Sequence, residues 1–350
     1  MHQLQPTRMD LTPKFPETTS LTSFSILEDA GAALARLSGF VNGKAVSLLP
    51  EVDLRLLASE YAIDSNRIFQ KVASPLFPIA NRLRDPRAEP DVSIDPNDPS
   101  GHATLLGTNV RFPMNHRGSG DASPPHHLHG SLFRRRADST ITSEGPRTAS
   151  TESIFKTRPL TNWAEEVEVT IRHSLSEGKY RYELRAKNRG EHSVPIGMGA
   201  HPYFQLPSGD PKSARLFLPS IRVAEIDGLG NVFPTGRWIS VPQSRFDFCS
   251  PAPLPDGGFD HFFLFDPIGP RTLELQDHTT GVAFRVSARS PNILGTQFYY
   301  PGSGSIFALE FVTHLPDPRE AVWGNQPTGL RLLAPGETET YAFEIEIRAL

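Results

Sequence analysis

The chain of 350 residues contains a single cysteine, Cys249, and no long apolar run. One cysteine excludes an intrachain disulfide and a cysteine-rich zinc site, so the fold must be stabilised by its core. No segment approaches the roughly 18 consecutive apolar residues that a membrane-spanning helix needs. The first twenty residues contain prolines and no continuous apolar stretch, which is not typical of a signal peptide. These absences predict a cytoplasmic protein that does not enter a membrane.

An excess of charge of one sign is also absent. The formal net charge is -4, from 35 Lys and Arg against 39 Asp and Glu, and this is too small to indicate a nucleic acid or another polyanion as a partner. One basic run, Arg134-Arg135-Arg136, is typical of a solvated surface or a strand edge. The chain has no phosphate-binding glycine loop and no dinucleotide fingerprint, so we expect no cofactor.

Helical periodicity is nearly absent, and only Asp53 to Glu60 offers a weak helical pattern. Apolar and polar residues alternate instead, which is typical of strands with one buried face. The alternation predicts hairpins from Val167 to Leu184 and from Thr272 to Val286, and a strand from Tyr341 to Ile347. The 33 prolines fit strand boundaries better than helices. The fold class is therefore predicted to be mainly β, with antiparallel sheets.

Three polar segments are not expected to join the core. Residues 1–20 are predicted to form a flexible N-terminal arm, and residues 139–153 a polar connection. Residues 85–125 are rich in Pro, Asp, Asn, Ser and Gly, and are predicted to form a long loop interrupted by a strand near Thr108 to Phe112. Both a lid and an inert insertion stay open as interpretations of this loop.

His201 lies in the most informative segment, Gly199-Ala200-His201-Pro202-Tyr203-Phe204-Gln205-Leu206, between two strand-like sequences. An imidazole titrates near neutral pH and can give or take a proton. The rings of Tyr203 and Phe204 beside it can provide an apolar wall for a sugar. A hydrogen-bonded structural histidine is the alternative interpretation.

Five further short segments accompany it along the chain: Phe77 to Arg82, Leu128 to Gly130, Phe259 to His261, Gln297 to Tyr299, and Ala308 to Glu310. In this order, and with the tail segments Pro316-Asp317 and Leu333 to Glu337, the chain resembles the aldose 1-epimerase family, the galactose mutarotase-like enzymes. The resemblance runs from about Phe24 to the C-terminus. Two departures from the family pattern concern sugar specificity: Gln205 replaces a common Asn, and Tyr300-Pro301 replaces the usual Thr-Gly.

The resemblance implies both a fold and a reaction. The fold is a large twisted antiparallel β-sandwich, the galactose mutarotase-like supersandwich, formed by residues 21–350 as a single domain. The reaction interconverts the α and β anomers of a hexose by ring opening and closure. Glu310 would act as the base on the anomeric hydroxyl, and His201, on the opposite side of the ring, as the acid on the ring oxygen. The nearby carboxylate is expected to favour the imidazolium by raising the pKa of His201.

The resemblance also implies a set of substrate-binding residues, which are Asn81, Arg82, His129, Asp260 and Gln297. Their amide, guanidinium, imidazole and carboxylate groups suit the hydroxyl groups of a sugar. A small-molecule sugar is the only partner implied, no metal or other cofactor is required, and the oligomeric state stays open.

A closely related alternative is a hexose-6-phosphate 1-epimerase, which would share the acid–base pair. It would need additional cations beside Arg82, for which Arg84, Arg87 and the Arg134 cluster are candidates.

Alternatives of other classes are a metal enzyme and a non-catalytic carbohydrate-binding protein. The metal enzyme would use ligands from His129, His201, Glu310 and His314, although no His-x-His or His-Glu-x-x-His spacing occurs. The carbohydrate-binding protein would keep the cleft but not the chemistry, and the presence of both His201 and Glu310 argues against it. For Glu310 itself, an ordinary outward-facing strand residue is the alternative interpretation.

Overall fold

The computed structural model describes residues 18–53, 56–57, 59–60, 68, 71–95, 97–119, 123–156, 163 and 166–350, together with the backbone of residues 6–10. Strands dominate this part of the chain. It contains no apolar helix long enough to cross a membrane.

The strands of the described residues are β1 (Pro6–Asp10), β2 (Ser20–Leu27), β3 (Ala33–Val41), β4 (Lys44–Ser47), β5 (Ser74–Leu76), β6 (Arg82–Leu83), β7 (Gly101–Leu105), β8 (Thr108–Phe112), β9 (His127–Leu128), β10 (Ser139–Gly145), β11 (Thr148–Phe155), β12 (Val167–Ser176), β13 (Lys179–Asn188), β14 (Val194–Ile196), β15 (Gly199–His201), β16 (Tyr203–Gln205), β17 (Ala214–Leu218), β18 (Arg222–Ile226), β19 (Pro234–Ser240), β20 (Phe248–Pro253), β21 (Phe259–Leu264), β22 (Thr272–Asp277), β23 (Val282–Ala288), β24 (Gly295–Tyr300), β25 (Ile306–Val312), β26 (Arg331–Leu333) and β27 (Thr338–Ala349). Short helical segments are the 3-10 turns Glu28–Ala30, Leu132–Arg134 and Pro211–Ser213 and the α-helix α1 (Glu320–Trp323).

The larger of two main sheets has nine strands in the order β10-β11-β12-β13-β27-β23-β22-β17-β20. Neighbouring strands are antiparallel throughout. The two hairpins and the C-terminal strand predicted from alternation are confirmed as β12–β13, β22–β23 and β27. In β12 the apolar residues are buried at every second position, as the alternation requires.

The second main sheet has the order β19-β18-β21-β24-β25-β15-β5, and β16 also pairs with β25. β15 and β16 lie along consecutive stretches of β25 on either side of Pro202. Because proline has no N–H group, it interrupts the ladder between these two short strands. His201 therefore lies at a strand end, directly before the interruption.

The two main sheets pack face to face. Phe204 of β16 stacks on Phe284 of β23 with ring centroids 4.7 Å apart. The hydroxyl group of Tyr341 in β27 donates to the carbonyl oxygen of Phe311 in β25 at 2.8 Å. The main core thus lies between the sheets, and the mainly antiparallel β-sandwich predicted from the sequence is confirmed.

Alternation along β25 decides which of its residues reach this core. Phe307, Leu309 and Phe311 belong to the apolar cluster between the sheets. Ala308 and Val312 belong to a second cluster on the outer face, and Glu310 lies between them on that face. The outer face of the second sheet is therefore where a polar site can form.

Two smaller pairings join segments outside the two main sheets. β6 pairs with β9, which places Arg82 opposite Leu128. β7 and β8 form a hairpin whose inward residues Ala103, Leu105, Val110 and Phe112 join the main core. The predicted strand near Thr108 is confirmed, whereas its packed partner was not expected, so the 85–125 segment includes a stable element.

The prediction of a polar connection at residues 139–153 is wrong. These residues form β10 and most of β11 at one edge of the nine-stranded sheet. Thr151 and Ser153 are fully buried, because their small side chains fit the inner face despite their polarity.

Two further predictions fall partly outside the described residues. In the N-terminal arm, residues 1–5 and 11–17 lie outside them, while β1 pairs with β2. In the weak helical stretch, residues 56, 57, 59 and 60 are helical and residues 54, 55 and 58 lie outside the described residues.

Candidate active site

Strand register places His201 directly across from Glu310. The register is fixed by two flanking pairs, Gly199 with Val312 and Tyr203 with Ala308. When the same register is continued through the residues between these pairs, the side chains of His201 and Glu310 lie opposite each other on the outer face. Nε2 of His201 lies 3.1 Å from Oε1 of Glu310, and the side chains are only 6% and 2% exposed.

This contact differs from the arrangement expected from the sequence, in which the acid and the base flank opposite sides of a sugar ring. Side chains directly opposite on neighbouring antiparallel strands start only about 5 Å apart at Cβ, which leaves no room for a ring between them. Both groups therefore approach a ligand from the same side. Glu310 does face outward from the sandwich core, but the surrounding segments bury it, unlike an ordinary surface strand residue.

Asp260 connects two of the predicted binding residues. Its Oδ2 accepts a hydrogen bond from an Nη atom of Arg82 at 3.1 Å, and its Oδ1 accepts one from Nε2 of Gln297 at 2.5 Å. Gln297 in turn pairs with Glu310 across β24 and β25. Three adjacent strands, β21, β24 and β25, thus carry a row of polar side chains to the catalytic candidates.

Asn81 and His129, which lie next to the paired strands β6 and β9, are joined by two hydrogen bonds. The backbone N–H of Asn81 donates to Nδ1 of His129 at 3.2 Å, and the backbone N–H of His129 donates to the carbonyl oxygen of Asn81 at 2.9 Å. Both residues have positive φ angles, 56° and 65°. Gly130 follows at φ 73°, where an added Cβ would meet the carbonyl oxygen of Phe77 at 2.2 Å. Glycine is therefore required to let this turn approach the backbone below it.

The hydrogen bond from Asn81 also fixes the tautomer of His129. Burial lowers the pKa of His129 well below its ordinary value, so the ring is neutral. Because Nδ1 accepts a hydrogen bond, the ring proton lies on Nε2, which makes Nε2 a donor. The ring stands edge-on to His201 with centroids 4.8 Å apart.

Several buried polar atoms of the site make no hydrogen bond to any other described residue: Nδ2 of Asn81, Nε of Arg82, Oε1 of Gln297 and Oε2 of Glu310. Buried polar groups without protein partners are rare because each costs free energy. The set contains both donors and acceptors, which is the pattern that a ligand rich in hydroxyl groups can satisfy.

Burial shifts the pKa values of the central pair in opposite directions. Desolvation lowers the pKa of His201 to about 3; the charge of Arg82 acts in the same direction, and a backbone hydrogen bond opposes the shift only partly. Desolvation, together with the charge of Asp260, raises the pKa of Glu310 well above its ordinary value, and Arg82 only partly offsets this. Burial thus disfavours the charged form of each side chain in the ligand-free site, and it opposes the effect expected of the carboxylate on the pKa of the imidazole.

Of the two aromatic residues after His201, only Tyr203 belongs to the site. Its ring stacks on that of His201 with centroids 4.9 Å apart, and it meets Tyr299 edge-on at 6.2 Å. Phe204, on the opposite face of β16, lies in the main core. Tyr299 was not predicted as a site residue. Side chains alternate along Gln297-Phe298-Tyr299, and this alternation places Tyr299 on the same face as Gln297.

The four histidine and carboxylate residues considered as metal ligands do not form one centre. His129, His201 and Glu310 offer ligand atoms within 4.8 Å of one another. However, the Nε2 of His129 carries its ring proton, so it cannot donate a lone pair to a metal. His314 lies apart: its Nε2 accepts from the backbone N–H of Ala80 at 2.9 Å, and its Nδ1 donates to the carbonyl oxygen of Leu315 at 2.7 Å.

Comparison with known proteins shows the family of the chain. Residues 97–346 match the family model described as aldose 1-epimerase. The chain belongs to the aldose 1-epimerase family. No curated protein sequence matches it closely, so membership rests on the family model and on the fold.

Solved structures share the aldose 1-epimerase fold over nearly the whole chain. A galactose mutarotase-like protein from Clostridium acetobutylicum has a TM-score of 0.76 at 15% identity, covering 99% of both chains. An aldose epimerase homologue from C. elegans has a TM-score of 0.69 at 16% identity, covering 99% of this chain and 100% of that one. Galactose 1-epimerase from Lactobacillus acidophilus has a TM-score of 0.67 at 16% identity, covering 99% of both. At such identities the likeness concerns the fold alone.

Proposed function

We propose that the protein is an aldose 1-epimerase that interconverts the anomers of a free hexose, with Glu310 and His201 as its proton-transfer pair. The observation that carries the proposal is the 3.1 Å contact between these buried side chains. The two oxygens that must exchange protons during mutarotation, the anomeric hydroxyl and the ring oxygen, are bonded to the same carbon. An acid and a base in direct contact, approaching from one side, suit two such adjacent atoms.

The surrounding residues supply the binding groups of the proposed site. Arg82 and Gln297 both hydrogen-bond to Asp260, which leaves Nε of Arg82 and Oε1 of Gln297 for ligand hydroxyls. Nδ2 of Asn81 is a further donor, and His129 presents a donor at Nε2. Tyr203 and Tyr299 offer apolar ring surface on the same face.

One proton shared by the pair is sufficient for ring opening. In the charged form, Glu310 accepts the proton of the anomeric hydroxyl while His201 donates its proton to the ring oxygen, and the anomeric C–O ring bond breaks. The pair is then in its neutral form, which burial favours, next to the open-chain sugar. Rotation about the first carbon–carbon bond and the reverse proton transfers close the ring as the other anomer. In the ligand-free site the proton must first move from Glu310 to His201 across their contact.

The charge of Arg82 lowers the pKa of Glu310 and also that of His201, so it does not by itself favour that first transfer. Hydroxyl groups that donate to the carboxylate would lower the pKa of Glu310 without this opposing effect. Sugar binding is therefore expected to bias the pair towards the charged form that ring opening requires.

The proposal is tested by polarimetry of freshly dissolved α-D-glucose and α-D-galactose with the protein and with a Glu310→Gln variant. The parent protein should accelerate the approach to the equilibrium rotation, and the folded variant should lose about 10² to 10⁴ of that acceleration. A parent protein that binds hexose without accelerating mutarotation would be a carbohydrate-binding protein instead.

A hexose 6-phosphate is the second candidate substrate, and the placement of Arg84 favours it. Arg84 lies two residues beyond Arg82 along an extended segment, so both side chains leave the same side. Its Nε pairs with Asp317 at 2.5 Å and its guanidinium lies over the ring of Phe233 at 4.6 Å from the centroid. The side chain is still 26% exposed, which supports a cation available to a phosphate. Arg87 likewise pairs with an aspartate, Asp85, and its side chain is 68% exposed.

The two substrates are separated by measuring kcat/KM for D-glucose and for D-glucose 6-phosphate with the parent and with Arg84→Gln. A phosphate substrate predicts a loss of about tenfold or more for the phosphate alone. Equal effects on both sugars would argue for the free hexose.

A further inference from the structure

A second cavity lies on the outer face of the same sheet, at the opposite end from the catalytic candidates. It has a volume of about 480 Å³ and is lined by residues of β18, β19 and β21 and of the segments before β24 and after β25. Asp260 and Leu264 share one face of β21, so four residues, ~13 Å, separate the cavity from the catalytic row. Phe262, which lies between Asp260 and Leu264 on this face of β21, is 1% exposed, and its ring centroid is 6.5 Å from that of Trp238.

The cavity combines an apolar floor with a fixed aromatic side. The floor is formed by Leu264, Phe265, Ile293, Leu294 and Leu315. The indole N–H of Trp238 donates to Oε1 of Gln326 at 2.7 Å, and its ring packs on Trp323 with centroids 5.0 Å apart. These contacts hold the indole in one orientation. A flat apolar ring can pack against such a surface.

The charge of this cavity is positive and not compensated by a carboxylate. Its ionisable lining residues are Arg222 and Arg271. The residue Arg222 is exposed, and its side chain makes no ion pair or hydrogen bond with any other described residue. Arg271 donates to the carbonyl oxygens of Pro291 and of Ile293, the latter at 3.1 Å.

Most of the other arginines whose contacts are described pair with a carboxylate instead. In a larger cavity of about 780 Å³ beside β7 and β8, Arg87 and Arg319 are each paired with an aspartate. Asp266, next to the 480 Å³ cavity in sequence, accepts a hydrogen bond from the backbone N–H of Ile268 in its own turn. The positive charge at Arg222 and Arg271 therefore favours an anionic ligand.

Asn292 adds an acceptor of fixed orientation. Its Nδ2 donates to the carbonyl oxygen of Thr340 at 2.9 Å and to the carboxylate of Glu339. These acceptors determine which atom of the amide is the nitrogen. Its Oδ1 is buried and has no hydrogen-bond partner among the described residues, so a ligand with a hydrogen-bond donor would satisfy it.

We propose that this cavity is a second binding site, for a small molecule with a flat aromatic ring and an anionic group. The ring packs between Trp238 and the apolar floor, and the anionic group is held by Arg222 and Arg271. A volume of about 480 Å³ is within the usual range for small-molecule sites.

Isothermal titration calorimetry with phenyl phosphate tests the proposal. Inorganic phosphate, which has only the anionic group, and benzyl alcohol, which has only the aromatic ring, serve as half-probes. Phenyl phosphate should bind with a Kd on the order of 1 mM or below, and each half-probe should bind about tenfold more weakly. Arg222→Gln and Trp238→Leu should each weaken binding about tenfold or more. Arg172→Gln, which removes an exposed arginine of the nine-stranded sheet, is the matched control and should leave binding unchanged.

Three results would overturn the proposal: no binding of phenyl phosphate, undiminished binding by Arg222→Gln, or equal binding of inorganic phosphate. The titration is repeated with saturating D-galactose to separate the two sites. Unchanged binding is expected, whereas loss of binding would place phenyl phosphate in the catalytic cleft and contradict a separate cavity.

Discussion

At the scale of single residues, the proposed reaction depends on one proton shared by two buried side chains. The pKa of His201 is lowered to about 3 and that of Glu310 is raised. Because the pKa of His201 is far below pH 5, its imidazole takes up no proton between pH 7 and pH 5. We expect kcat/KM, after subtraction of spontaneous mutarotation, to stay level on acidification over this range. It should fall only on the alkaline side, where Glu310 loses the shared proton.

The pH–rate profile from pH 5 to pH 9 checks this expectation. An acid limb centred near 6.5, the ordinary value for an imidazole, would mean that His201 titrates as an exposed histidine does, and would contradict the shared-proton state.

The raised pKa of Glu310 also makes a prediction about stability. The unfolded chain releases this proton near pH 4.5, whereas the folded protein keeps it to a higher pH. The stability that Glu310 contributes is therefore fully present below pH 4.5 and is lost as the pH rises through the folded pKa. In Glu310→Gln this loss is absent. Within that window, the free energy of unfolding of the variant should therefore rise relative to that of the parent by on the order of 1 kcal/mol per pH unit.

Urea unfolding of both proteins at pH 5, 6, 7 and 8 measures the difference. Glu144→Gln, at an exposed position of β10, is the control and should show no trend with pH. A constant difference between Glu310→Gln and the parent across this range would show that Glu310 is ionised in the folded protein.

The sequence suggested candidate residues for the site but not the contacts between them. His201 and Glu310 were recognisable from short motifs, since motifs record residue type and order. Their direct contact depends on the register of β15, β16 and β25, which no local pattern specifies. Their ionisation depends on burial by Asn81, Arg82 and His129 segments that are distant in the chain. The nearby carboxylate was expected to raise the pKa of His201, whereas burial lowers it.

At the scale of elements, the turn at His129 and Gly130 positions the site. Gly130 has φ 73° and an added Cβ would lie 2.2 Å from the carbonyl oxygen of Phe77. Gly107, in the β7–β8 turn, has φ 77° with no atom within 4 Å of an added Cβ. Gly107→Ala should therefore cost only about 1 kcal/mol of conformational strain. Gly130→Ala should cost more and also lower kcat/KM, because the turn carrying His129 must move.

Unfolding and mutarotation measurements on both alanine variants test this difference. Equal loss of stability in the two variants, with full activity in Gly130→Ala, would show that the close approach at Gly130 does not position His129.

Asp317 ties β6 to the segment that leads into α1. Its buried carboxylate accepts from Nε of Arg84 at 2.5 Å and from Nε of Arg319 at 2.7 Å, and its backbone N–H donates to the carbonyl oxygen of Arg82 at 2.8 Å. Removing the charge in Asp317→Asn leaves Arg319 without its partner, which should cost about 3 kcal/mol in unfolding free energy. Glu225→Gln, which breaks the exposed pair with Arg237, should cost less than about 1 kcal/mol. Similar costs in denaturant unfolding would contradict this role for Asp317.

Elements were predictable where hydrophobic alternation was strong and not where it was weak. β12, β13, β22, β23 and β27 alternate apolar with polar residues, and each was predicted. β10 and β11 are built from Ser and Thr, which pack in a strand but have no apolar period to detect. Their place in the sheet follows from pairing with β12, a tertiary contact that composition does not show.

At the scale of the whole molecule, the sandwich separates stability from chemistry. One face of the second sheet packs against the nine-stranded sheet, and the other carries the polar row from Asp260 to Glu310. The six motifs lie on different strands and turns, so only the complete fold brings them together. The resemblance predicted this architecture correctly because proteins that share the motifs of a family also share its fold. Periodicity alone predicted only antiparallel sheets.

The most direct test of the proposed reaction is anomer exchange at equilibrium, measured by NMR saturation transfer between the α and β anomeric proton signals of D-galactose. The parent protein should transfer saturation at a rate proportional to its concentration. Folded Glu310→Gln and His201→Gln should each slow exchange by about 10² to 10⁴. Exchange at the parent rate in either variant would contradict proton transfer by the His201–Glu310 pair.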